Sequence, residues 1–251
     1  MKLQLGILSG VFLAATLGTA SAAQAALVVV PPGLAPGAQY RLVFVTAGTR
    51  DGTSDNIDDY NTFVTNQVTG SALATALTTA GFNLNTITWK AISSTDATSA
   101  KVNTGTDGSQ PDVPIYLIDS NRVANNNNDL WDGSILTPIN RTQLDTITQP
   151  VVWTGTETSG IPALCALGSG GSATGDAGST GEAWLYSDPC VDADDDGDKP
   201  LYSLYAMSPV LTKPGGGGVT VPEPSSLLGF ITLGGLMLGG AVRLTGGGSD
   251  T

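Results

Sequence analysis

Tyr40-Arg41-Leu42-Val43-Phe44-Val45-Thr46 is the stretch on which the fold turns. It is apolar at both parities apart from Arg41. That is the pattern of a strand covered on both faces, so it is expected at the centre of a sheet. On its far side the chain turns through residues 48–52. Ser54 is then expected to cap a helix whose first turn holds Asp55, Asp58 and Asp59, the favourable charge at a helix N-terminus. Ile57, Tyr60, Val64 and Val68 recur at three and four, which predicts an amphipathic stripe. Gly70 interrupts, and a second helical segment over 73–80 stops at Gly81.

Further strands follow. Thr86-Ile87-Thr88-Trp89-Lys90-Ala91-Ile92 alternates, and Pro111-Asp112-Val113-Pro114 leads into a strand over 115–118. Residues 125–128 are a polar loop, and Leu130-Trp131-Asp132-Gly133 opens a turn-rich stretch. Val151-Val152-Trp153-Thr154-Gly155-Thr156, Ala183-Trp184-Leu185-Tyr186 and Leu201-Tyr202-Ser203-Leu204-Tyr205-Ala206-Met207 complete the expected strands. Before the central stretch, residues 27–30 are a short β-branched run ended by Pro31-Pro32. The expected fold class is α+β: a single β-rich extracellular domain over 26–212 with one or two N-terminal helices. Residues 213–220 form a Gly-rich linker, flexible by composition.

Both ends read as addresses. Lys2, an apolar run over 3–17, and small residues ending Ala23-Gln24-Ala25 have the pattern of a secretory signal peptide over 1–25. At the other end stands Val221-Pro222-Glu223-Pro224-Ser225-Ser226, then an uncharged run over 227–242, then Arg243. As a helix that run would be roughly 24 Å long, slightly short for a hydrocarbon core of about 30 Å, with Ser225 and Ser226 in one interface and Arg243 snorkelling in the other. Gly229, Gly234, Gly235, Gly239 and Gly240 would make a poor soluble helix there.

The C-terminal motif over 221–251 resembles the PEP-CTERM sorting signal of Gram-negative bacteria. That resemblance implies an exported protein held transiently in the inner membrane, processed by an exosortase-type enzyme, and delivered to the cell surface or matrix with exopolysaccharide. Such tails usually end in several Arg and Lys, whereas Arg243 stands alone here. A second, looser resemblance is to the C-terminal half of a C-type-lectin-like domain. It rests on Trp153-Thr154-Gly155-Thr156, Cys165, Trp184, Cys190 and the Leu-Tyr strand over 201–207. The family's last-strand Cys is replaced by Ser203, and Gln110-Pro111-Asp112, although like its sugar-selecting tripeptide, precedes Trp153 instead of following it.

Residues 26–220 hold 8 of the 10 Lys and Arg and 20 of the 22 Asp and Glu, since Lys2, Arg243, Glu223 and Asp250 lie outside. So acidic a surface is a poor partner for nucleic acid. It suits divalent cations, or simply solubility outside the cell. The two cysteines, Cys165 and Cys190, are expected to pair in an oxidising compartment and to brace a Gly- and Ser-rich loop. The sharpest local feature is Asp192-Ala193-Asp194-Asp195-Asp196-Gly197-Asp198. Asp192, Asp194 and Asp196 have the one-three-five spacing of a Ca²⁺ loop, and Asp198 adds a further carboxylate. Position twelve, however, is Ser203 instead of Glu, so the alternatives are a weak Ca²⁺ site and a solvated acidic turn.

An enzyme is not expected. The chain has no His, which excludes His-dependent triads and most zinc chemistry. Asp129 with Asp132, and Glu157 with Glu182, are formal glycosidase pairs, but lone surface carboxylates are the ordinary case. Trp131, Trp153 and Trp184 fit a core better than a sugar platform. Two functions remain: an adhesive or structural surface protein, and a Ca²⁺-assisted, lectin-like carbohydrate-binding module.

Overall fold

The computed structural model describes residues 27–193 and 199–214. In chain order the elements are β1 (Gln39–Val45), α1 (Ile57–Val68), α2 (Ala72–Thr79), β2 (Lys90–Ala91), α3 (Ala100–Thr104), β3 (Ile115–Leu117) and β4 (Arg122–Ala124). They continue with α4 (Asn127–Leu130), β5 (Val151–Trp153), β6 (Gly171–Asp176), β7 (Asp188–Asp192), β8 (Tyr205–Met207) and β9 (Leu211–Thr212). The class is α+β, as the sequence predicts.

β1 is the centre. The larger sheet runs β2-β8-β1-β3-β4, and β9 also pairs with β1. β3 lies parallel to β1, with Leu42 opposite Tyr116, and β8 lies antiparallel, with Phe44 opposite Ala206. The alternation of side chains along a strand then divides the interior in two. Tyr40, Leu42 and Phe44 join one cluster with Tyr60, Val64, Leu73 and Leu77 of the helices. Val43 and Val45 join the other, with Leu117, Val123, Trp184 and Met207. Both faces of β1 are therefore buried, which is why the stretch carries almost no polar residue.

The helices cover the first cluster. Tyr60, Val64 and Val68 are buried along α1 as the stripe requires. Its cap is Asn56 instead of the expected Ser54: the Asn56 side chain accepts from Asp58 N, and Ser54 Oγ instead accepts from Asn56 N. Only Asp58 and Asp59 thus fall in the first turn. α2 is capped by Ser71, and Gly70 and Gly81 take positive φ of 71° and 89° at the two breaks.

Several expected strands are shorter or displaced. Over 86–92 only Lys90 and Ala91 pair, because Leu84–Thr86 is a 3-10 turn capped by Asn83, and Trp89 N donates to the Thr65 hydroxyl. Residues 27–30 form no strand, although Val28 N donates to Ile118 O at 2.9 Å. Glu182–Trp184 is a 3-10 turn, not a strand. The strand begins later, at Asp188, and runs through Cys190. The last strand contracts to Tyr205–Met207, while Tyr202 and Ser203 make single bridges to Arg50 and Val152.

The smaller sheet has the order β5-β6-β7. β6 lies inside the Gly- and Ser-rich loop between the cysteines, and four of its six residues are buried. Small side chains suit it. A Cβ at Gly171 would stand 2.7 Å from Cys190 Sγ, and one at Gly175 would collide with the Trp184 carbonyl. Composition that reads as flexible is here the condition for close strand packing. Among the described residues no helix is long and apolar enough to cross a membrane. Residues 227–242, expected to span, lie outside the described residues, as does the signal-like segment 1–25.

Candidate functional site

Of the residues singled out by sequence, the cysteines are brought together: Cys165 and Cys190 form a disulfide with Cα atoms 5.4 Å apart. It ties the segment before β6 to the middle of β7. Asp192 is exposed at the end of β7. Asp194, Asp196 and Asp198 lie outside the described residues, as do Val221, Pro222, Glu223, Pro224 and Arg243. Among the described residues no group of three or more Asp, Glu, Cys or His side chains is placed to hold a metal.

The large aromatics are core. Trp153 and Trp184 are fully buried and Trp131 is 7% exposed. Trp184 packs between Trp131 and Tyr205, with ring centroids at 6.3 and 5.7 Å. The carboxylates Asp129 and Asp132 each close a local turn, accepting from Asn125 N and from Ser134 N. Gln110 and Asp112 face different grooves, so the tripeptide 110–112 makes no single site.

One polar concavity gathers residues the sequence did not mark as a site. It is a groove of about 410 Å³ between β2, the loop after α3, and the β8–β9 connection. Arg41, Thr88, Lys90, Ser109, Gln110 and Ser208 help to line it, and among the described residues no Asp or Glu does. Arg41 belongs to β1 and is only 2% exposed. Its Nη1 donates to Thr104 O at 2.7 Å and to Ser208 O at 3.1 Å, and its Nη2 donates to Gly105 O at 3.1 Å. All three oxygens are backbone carbonyls. Among the described residues no acceptor serves Nε. Burial lowers the guanidinium pKa to about 10.

The walls are fixed by polar side chains. Asn61 of α1 accepts from Ala91 N at 2.9 Å and donates to Asn103 Oδ1 at 2.8 Å, and Asn103 in turn donates to Ala91 O. α1, β2 and α3 are thereby held at one distance from each other. The loop after α3 is pinned by a relay in which Trp131 Nε1 donates to the Thr106 hydroxyl, itself 2.9 Å from the Thr104 hydroxyl. Gly105 sits at φ 65°, where a Cβ would press on Gln110 Cγ at 2.9 Å. Lys90 reaches the rim from β2 and has an exposed partner, Asp58, at 3.9 Å. The signal for this site in the sequence was the one charge inside an apolar strand.

No protein-family model matches this chain, and no curated protein does.

Proposed function

We propose that the chain is an exported protein, held transiently at the inner membrane by residues 221–251 and delivered to the cell surface or matrix. Its folded domain serves adhesion or assembly there and is not catalytic. The observation that carries this reading is the Cys165–Cys190 disulfide, since such bonds persist in oxidising compartments. The flanking sequence segments supply the route. The domain is lectin-like in fold, a reading supported by the disulfide between the segment before β6 and strand β7 and by Trp184, buried beside β6.

Truncation after residue 220 tests it. In the parent cell the truncated chain is expected in the periplasm or medium, while the full chain passes through a membrane-associated precursor. Identical fractionation of the two would sink the sorting role of the tail.

A further inference from the structure

We propose that the groove of Arg41 and Lys90 is a binding site for a hydroxylated carboxylate of sugar-acid size, such as a uronic acid residue. The proposal goes beyond export and adhesion, and does not depend on how the tail is processed. Its ground is charge placement. A protein of net charge −12 lines one groove, among the described residues, with two cations and no carboxylate. Buried charges in proteins are ordinarily paired. Among the described residues Arg41 is offset by three carbonyl dipoles and the Met207 sulfur, and its Nε hydrogen has no acceptor.

The rest of the lining fits the remainder of such a ligand. Thr88 offers a hydroxyl and Gln110 an amide that can both donate and accept, while the Thr86 and Ser109 hydroxyls, which donate to Asn83 O and to the Asp107 carboxylate, are left to accept. These suit sugar hydroxyls, which need both senses of hydrogen bond. The volume, about 410 Å³, is in the range of small-molecule sites. Lys90 is the mobile element. At 3.9 Å from an Asp58 side chain that is itself 75% exposed, its ion pair is of the weak surface kind, so the ammonium is free to turn toward a bound carboxylate. Arg41 is the fixed element, held by three carbonyls at the groove wall.

The structural role of Arg41, which ties α3 to the β8–β9 connection, would by itself account for its burial. It does not account for Lys90 or for the exclusion of carboxylates from the lining, and the test turns on those. The full chain, purified in detergent at low salt, is titrated calorimetrically with sodium galacturonate, a galacturonate oligomer, galactose and sodium sulfate. Binding of galacturonate is expected, with none for galactose and weaker binding for sulfate. Tighter binding of the oligomer would identify a polymer as the source of the carboxylate; equal binding would identify the free sugar acid. Lys90→Gln is expected to weaken galacturonate binding about tenfold and to leave the melting temperature of the free protein unchanged. Lys101→Gln, which removes the same charge outside the groove, is expected to leave affinity unchanged. The proposal is overturned if neither acid binds, if galactose binds equally, if sulfate binds as tightly, or if the two variants behave alike.

Discussion

Ser208 and Leu42 exchange two hydrogen bonds of different kinds. Ser208 N donates to Leu42 O at 2.9 Å, and Leu42 N donates to Ser208 Oγ, also at 2.9 Å. Ser208 sits where β1 passes from one antiparallel partner, β9, to the other, β8. Its hydroxyl takes the place of a ladder carbonyl there, which leaves the Ser208 carbonyl for Arg41. One serine thus completes the central strand and positions the buried guanidinium.

Ser208→Ala therefore orphans a buried backbone donor in the middle of the sheet. A loss of roughly 1–3 kcal/mol is expected, measured by urea unfolding. Ser208→Thr, which keeps the hydroxyl, is expected to lose less. Equal stability of the alanine variant and the parent would mean that another acceptor serves Leu42.

Gly155 and Gly170 both have positive φ, 57° and 89°. Among the described residues nothing lies within 4 Å of a Cβ at Gly170, whereas a Cβ at Gly155 would lie 2.5 Å from both Leu167 N and Ser94 O. Those two atoms are hydrogen-bonded to each other at 3.0 Å. Gly170→Ala is expected to cost about 1–2 kcal/mol from backbone strain alone. Gly155→Ala is expected to cost about 3–5 kcal/mol, since it also breaks that contact. Thermal melting of the two variants side by side checks the order, and the reverse order would contradict the packing around β5 and β6.

The tyrosines set an alkaline limit. Burial raises the Tyr60 pKa to about 12 and holds Tyr40 and Tyr205 above the ordinary phenol range as well. The folded values exceed the unfolded value of 10. Their contribution to stability is therefore complete below pH 10 and is lost as pH rises toward the folded values. Tyrosinate absorbance from these three is expected to appear only together with loss of near-ultraviolet circular dichroism, above pH 10. Ionisation of all six tyrosines (the chain's full number) near pH 10, with the fold intact, would contradict their burial.

Replacing both Cys165 and Cys190 by Ser opens a link across a sequence separation of 25. The chain-entropy account gives a loss of about 3–4 kcal/mol, to be read from the shift in the urea midpoint at constant slope. Because β6 lies between the cysteines and pairs with both β5 and β7, the variant is expected to weaken without losing secondary structure. Collapse of the β5-β6-β7 sheet in amide exchange would show that the bond, not the strand pairing, holds it together.

How far the fold could be read from sequence depended on how much of the signal was local. β1 was legible because burial on both faces leaves an unbroken apolar run, and α1 because its stripe repeats along one surface. The Asn56 cap was hidden by Ser54, an equally good capping residue two positions earlier. Trp184 and Leu185 read as strand from their bulk, but the bonds of this stretch close back on Gly181 and Glu182. β6 carries almost no strand signal, because its small residues are selected by the neighbours they must admit. The groove was the least legible feature. Arg41, Lys90 and Ser208 are far apart in the chain and meet only through the pairing of β1, β2 and β8.

We propose above all that this domain folds outside the cytoplasm. Protein taken directly from the parent cells and alkylated before reduction, then weighed intact by mass spectrometry, tests it in one step. The expected species begins at Ala26 and carries no alkyl group on Cys165 or Cys190. A chain that retains Met1 to Ala25 with both cysteines alkylated would contradict export, and with it the functional reading.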